Sequence, residues 1–222
     1  MPGEPTRRPL STRHSGWATS CAAWLARRGV RPNTISATSV IAALVAGAAL
    51  VGTRYQTGWL ASGLYLLAAL AIQGRLLCNL FDGMVAVEHG RRTAAGEVWN
   101  DLPDRIADVV ILVAAGASII ACPWGRDLGW LAAALALMTA YTRVLGGSVG
   151  LAQSFVGPMA KPHRMAVLTA ACVLAALLHA RGWDGWVIAG ALVVICLGAA
   201  WTCVRRTRAI VAALAERAAT TP

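Results

Sequence analysis

Six of the chain's ten acidic residues lie between Asp82 and Asp108: Asp82, Glu88, Glu97, Asp101, Asp104 and Asp108. The remainder is apolar and rich in Arg. Ionised carboxylates are costly at membrane depth, and where they occur they serve an ion, a proton or a substrate. Asn79 and Asp82 are three residues apart, so a helix would put them on one face. Asn100, Asp104 and Asp108 are spaced by four, and Glu97, Asp101, Asp104 and Asp108 follow a 4-3-4 pattern, which makes a second stripe. Between the stripes, Gly83, Gly90 and Gly96 can break or bend a helix and let backbone come close to a ligand. Pro103 fits the first turn of the second helix. Two such helical ends facing each other would offer about four to six oxygen donors, with no Cys or His pair nearby, which suits Mg²⁺, Mn²⁺ or Ca²⁺ rather than zinc. Mg²⁺ in sites of this kind bridges to substrate phosphates and can clamp attacking and leaving oxygens in line.

The elements that must carry these residues are membrane helices. Of the 222 residues, 57% are hydrophobic and 14% charged, with mean hydropathy +0.59. A soluble domain carries about a quarter charged residues. Apolar segments at 35–53, 59–81, 105–122, 128–149, 165–180 and 186–204 each approach the ~20 residues needed to cross the hydrocarbon. The expectation is an all-α polytopic membrane protein with six transmembrane helices. Trp17, Cys21, Trp24 and Leu25 recur at helical spacing ahead of them, which predicts an amphipathic helix lying on the interface. Pro32-Asn33-Thr34 marks the turn into the first span. The chain then divides into a cytoplasmic arm with the interfacial helix (1–34), a six-helix transmembrane catalytic domain (35–204) and a cytoplasmic basic tail (205–222).

Charge sets the orientation. With the N-terminus in the cytoplasm, all of the 20 Lys and Arg fall inside except Arg54, Arg126 and Arg181. That bias predicts both termini and the acidic block on the cytoplasmic side of a cell membrane. The formal charge of +10 gathers at the ends of apolar segments, where it serves topology and lipid headgroups, so nucleic acid is not an expected partner. The first thirty residues hold no apolar run long enough for a signal-peptide core. The six cysteines form no CxxC or Cys/His pair, which leaves them as small core residues.

The block at 79–108 resembles the signature of the CDP-alcohol phosphotransferase family, Asp-x2-Asp-Gly-x2-Ala-Arg-x8-Gly-x3-Asp-x3-Asp. Without gaps, its positions fall on Asn79, Asp82, Gly83, Ala86, Val87, Gly96, Asn100 and Asp104, and Asp82, Gly83, Ala86, Gly96 and Asp104 match. Asp104-Arg105-x2-Asp108 is also similar to family members. The departures are Asn79 and Asn100 in place of two aspartates and Val87 in place of the Arg. They remove two negative charges, which Asp101, Glu97 or Glu88 could make up or a reduced metal count could accommodate. Arg91 or Arg92 could replace the missing Arg.

The resemblance implies transfer of a phosphatidyl group from a CDP-alcohol, above all CDP-diacylglycerol, to a small phosphorylated alcohol, with release of CMP. It implies Mg²⁺ or Mn²⁺ held by Asn79, Asp82, Asn100, Asp104 and Asp101, with CDP lying against Gly83, Ala86 and Gly96. Asp104 would be the general base. Arg105, Arg143 inside the fourth apolar span, and Lys161 and Arg164 in the Gly157–Arg164 stretch would bind an anionic acceptor. Membrane lipids are expected partners, and a homodimer is compatible with all of this. Two other classes compete. A catalytically degenerate CDP-lipid-binding or scaffolding protein would follow from the Asn79, Asn100 and Val87 changes. A transporter would place broken helices and acidic residues in both halves, and here they sit in one.

Overall fold

The computed structural model describes residues 15–88 and 95–220, and the side chains of Val87, Glu88, Glu97 and Asn100 also lie outside the described set. The readings placed on Gly90, Arg91 and Arg92 therefore fall outside the described residues, as do those on the side chains of Glu88, Glu97 and Asn100.

Seven α-helices follow in order: α1 (Gly16–Arg27), α2 (Pro32–Gly52), α3 (Gly58–Glu88), α4 (Gly96–Ser118), α5 (Gly125–Ser148), α6 (Lys161–Leu178) and α7 (Asp184–Thr220). No strand occurs among the described residues. Five stretches are long and apolar enough to cross a membrane: Pro32–Tyr55, Gly58–Ala86, Gly125–Ser148, Lys161–Arg181 and Asp184–Thr220. The sixth expected segment corresponds to α4, which carries Glu97, Asp101, Asp104, Arg105 and Asp108 in its first half and falls outside that set.

α4 is nonetheless central. It packs against α2, α5 and α7, with Ala107, Ile111, Leu112 and Ala115 fully buried. Lipid tails are as apolar as Leu, so helices in a membrane associate by close approach and van der Waals contact rather than by escape from water. Small residues serve that end. A methyl group built on Gly116 would lie 2.5 Å from the Gly129 Cα, so α4 and α5 cross there backbone to backbone. Much of the remaining core is alanine, including Ala43, Ala46, Ala68, Ala132, Ala136, Ala175 and Ala199.

Two local expectations are corrected, those on Gly83 and Pro103. Gly83 does not break its helix: α3 runs on to Glu88, because a glycine flanked by Asp82 and Met84 costs only about 1 kcal/mol relative to Ala in a helix interior. Pro103 sits inside α4 rather than in its first turn, since the helix starts back at Gly96. Its ring removes one backbone hydrogen bond, to the carbonyl of Trp99, whose residue is exposed. In α1 the face turned to the protein is the stripe Ala18, Ala22 and Ala26, set against Leu80, Met84 and Val85 of α3. Trp17 and Trp24, from the expected apolar stripe, are half exposed, with the Trp17 ring edge-on to Phe81 of α3.

The segment between α5 and α6 is pinned by α7. The Met159 amide donates to Thr202 Oγ1 at 3.0 Å, and Arg206 Nε donates to the Val156 carbonyl at 3.0 Å. Gly157 has φ +124°, and a side chain there would meet Thr202 Cγ2 at 2.4 Å, so only glycine fits. These contacts fix the start of α6, where Lys161 is the first helical residue. α7 is unbroken through position 205, which makes the start of the basic tail a continuation of that helix.

Candidate active site

α3 carries Arg75, Asn79 and Asp82 at i, i+4 and i+7, which puts all three on one face. α4 presents Asp101, Asp104 and Asp108 with the same logic. Asn79 Nδ2 donates to Asp104 Oδ1, and that hydrogen bond joins the two stripes. Asp82 and Asp104 are 3% and 4% exposed.

Asp104 is surrounded by nitrogen. Besides Asn79, Arg75 Nη2 donates to its backbone carbonyl at 3.0 Å and lies 3.3 Å from Oδ1. Lys161 Nζ, at the start of α6, pairs with Oδ2. Asp82 is different. Its Oδ2 accepts a hydrogen bond from Ser36 Oγ of α2 at 2.7 Å, while its buried Oδ1 accepts none. An unmatched buried carboxylate oxygen is a position that a hard divalent cation fits. Asn79 is one turn away, with its amide nitrogen committed to Asp104 and its carbonyl oxygen suited to the same ion. Among the described residues no three His, Cys, Asp or Glu side chains gather as a ready-made metal cage. Any cation at Asp82 therefore draws on amide, backbone or substrate oxygens.

A second group lies beside the first. Asp101 Oδ1 accepts from Arg105 Nη2 at 2.9 Å and from Arg143 Nη2 at 2.7 Å, bridging α4 to α5. These three side chains are partly exposed. Arg143 also lies over the Phe155 ring, 5.9 Å from its centroid. Asp101 thus meets guanidinium groups rather than sitting with Asp82.

Arg164 corrects an expectation. In place of an acceptor-binding position, it is 1% exposed and donates to Asp108 Oδ2 at 2.7 Å, the Met159 carbonyl at 2.9 Å and Thr139 Oγ1 at 3.0 Å. Its position one helical turn into α6 turns it into the bundle, where Asp108 needs a counter-charge. Arg75 completes that pair from the other side, 2.9 Å from Asp108 Oδ1.

Gly83 leaves open space beside α3, with no heavy atom near the place of a Cβ. Ala86 lies near the end of α3 and Gly96 at the start of α4, both half-buried. Asn100 lies in α4 one turn before Asp104.

No family model matches the chain. A curated relative, phosphatidylinositol phosphate synthase of Streptomyces avermitilis, is 28% identical over 193 residues, covering 80% of this chain and 74% of its own. Among solved structures, Mycobacterium tuberculosis phosphatidylinositol phosphate synthase with CDP-DAG bound superposes with a TM-score of 0.69 at 20% identity, covering 88% of this chain and 94% of that one. The same enzyme in complex with manganese and citrate gives 0.70 at 18% identity, covering 87% and 88%. The chain is similar in sequence to a phosphatidylinositol phosphate synthase and shares the fold of another.

The chain's departures from the signature it resembles have a structural counterpart. Asn79 keeps the contact between α3 and α4 but contributes no charge. Ser36 and Arg75 were not read from the sequence as part of the site. For Arg75 the signal was available: it lies four residues before Asn79, on the Asn79–Asp82 face, inside an apolar run. Ser36 precedes Asp82 by 46 residues, and no spacing rule links residues so distant.

Proposed function

We propose that this chain transfers a phosphatidyl group from CDP-diacylglycerol to a small phosphorylated alcohol and releases CMP. One observation carries the reading: a signature-like block in gapless register whose two stripes, with Asp82 on α3 and Asp104 on α4, are joined by the Asn79–Asp104 hydrogen bond beside Lys161. The acceptor hydroxyl oxygen attacks the phosphorus bearing diacylglycerol, the bond from that phosphorus to the CMP oxygen breaks, and Asp104 takes the hydroxyl proton. Asp82, with Asn79 and Asn100, holds Mg²⁺ or Mn²⁺, which supplies charge neutralisation of the pyrophosphate. Gly83, Ala86 and Gly96 give nucleotide and phosphates room near backbone. Arg105 and Arg143, sharing one oxygen of Asp101, meet the acceptor phosphate.

The lipid half of the donor has a matching surface. A groove of about 550 Å³ between α2 and α4 is lined by Ala37, Val40, Ile41, Trp99, Leu102 and Ile106. Ala37 follows Ser36 and the groove reaches Pro103, next to Asp104, so acyl chains lying there bring the pyrophosphate to the carboxylates.

In the membrane we place α4 as a sixth span whose buried charges are matched by α3, α5 and α6. α1 lies on the cytoplasmic interface, Trp17 and Trp24 toward lipid, and residues 1–34 and 205–222 flank the 35–204 domain. A homodimer fits this arrangement. Arg75, Arg164 and Arg206 are buried, and setting them aside leaves the inside excess of basic residues standing. Reporter fusions after Arg54, Gly125 and Gly182 should all report the outer side, and a cytoplasmic signal at any of them sinks this topology.

The function is tested with labelled CDP-diacylglycerol against a panel of acceptors, with and without divalent cation. Cation-dependent CMP release favouring phosphorylated alcohols is expected. Preference for neutral acceptors removes the Arg105 and Arg143 assignment. Absence of any CMP release favours the degenerate lipid-binding reading, for which the amides at Asn79 and Asn100 and the cations on Asp104 speak.

A further inference from the structure

The two aspartates of the site are in opposite electrostatic situations. Both oxygens of Asp104 are taken by nitrogen, from Asn79 and Arg75 on one and Lys161 on the other. Asp82 keeps a buried oxygen with no hydrogen-bond donor. Around them, among the described residues, Arg75, Arg105, Arg143, Lys161 and Arg164 pair with Asp101, Asp104 and Asp108, and no ion pair reaches Asp82. A site meant for two divalent ions needs carboxylates to offset them, and here two signature carboxylates are amides.

From this asymmetry we infer that the site takes a single divalent cation, at Asp82, and that the Lys161 ammonium permanently fills the place of a second cation against Asp104. The inference rests on the transfer reading above and deepens it. A lysine is a compact point charge with three donors, so it can pair with Asp104 and still offer a hydrogen to a phosphate oxygen. The ammonium is held there by construction: Lys161 opens α6, and the Val156, Gly157 and Met159 contacts to α7 fix where α6 begins. Asp104 then acts on the acceptor proton with a covalently attached counter-ion, while the ion at Asp82 is exchangeable. The loss of charge at Asn79 and Asn100 and the presence of Lys161 thus become one substitution of lysine for metal.

The test counts Mn²⁺ on the purified full-length protein, in the presence of CDP, by electron paramagnetic resonance of the free ion. Wild type should bind a single Mn²⁺ per chain, Asp82→Asn should lose it, and Asp104→Asn should retain it. A chain carrying Asn79→Asp, Asn100→Asp and Lys161→Met should gain a second Mn²⁺. If that triple variant does not fold, the wild-type count and the two single variants still decide. Two Mn²⁺ on wild type, none, or loss in Asp104→Asn with retention in Asp82→Asn overturns the inference. The count does not depend on turnover: a single Mn²⁺ without CMP release leaves it standing and removes the transfer reading, whereas CMP release with two Mn²⁺ does the reverse.

Discussion

Asp104→Asn should lower the turnover number for CMP release by about 10²–10⁴-fold, the usual contribution of a positioned base. The substitution keeps the shape of the side chain and an oxygen that can accept the Asn79 and Arg75 hydrogen bonds. Arg75 retains its pairing with Asp108, and Lys161 is partly exposed, so neither cation is left stranded in the core. The thermal midpoint should therefore move little while the rate collapses. The loss should fall on kcat, because proton removal belongs to the transition state and not to ground-state binding. A variant with unchanged kcat removes Asp104 from the chemistry.

How far the site could be read in advance follows from the reach of sequence patterns. Within one helix, spacing is geometry, so Asn79 with Asp82 and Asp104 with Asp108 could be placed on common faces without any structure. The gapless register also tied the two stripes to one another, and the hydrogen bond between Asn79 and Asp104 is where they meet. What spacing cannot show is which charge on a distant helix a carboxylate finds. Lys161 and Arg164 are three residues apart, yet one faces Asp104 and the other is sealed against Asp108, one turn further along α4. The same limit explains α4. Its charges lower its apparent fitness as a membrane helix when it is read alone, but in the bundle Asp104 and Asp108 are matched by Arg75, Lys161 and Arg164. Hydropathy counts what a segment brings and not what its neighbours supply.

The largest effect on stability is expected at Asp108. This carboxylate is 1% exposed and lies between two guanidinium groups that are themselves fully buried, Arg75 and Arg164. Asp108→Ala leaves Arg164 without a carboxylate and Arg75 with Asp104 alone, and breaking a buried pair in this way costs about 3–5 kcal/mol. Arg164 would then keep only neutral acceptors, the Met159 carbonyl and Thr139 Oγ1, which do not offset its charge. Equilibrium unfolding in detergent should register that loss directly. Asp101→Ala is the contrast: its pair with Arg105 and Arg143 is partly exposed, and pairs of that kind contribute about 0–1 kcal/mol. Should Asp108→Ala unfold no more easily than Asp101→Ala, the buried network is not what holds α3, α4 and α6 together. Replacing Asp108 and Arg164 together by apolar residues should recover part of the loss, since a buried pair as a whole is close to neutral against well-packed side chains. The recovery should be incomplete, because Arg75 remains, and with it the need for the second carboxylate, Asp104, to carry its charge alone.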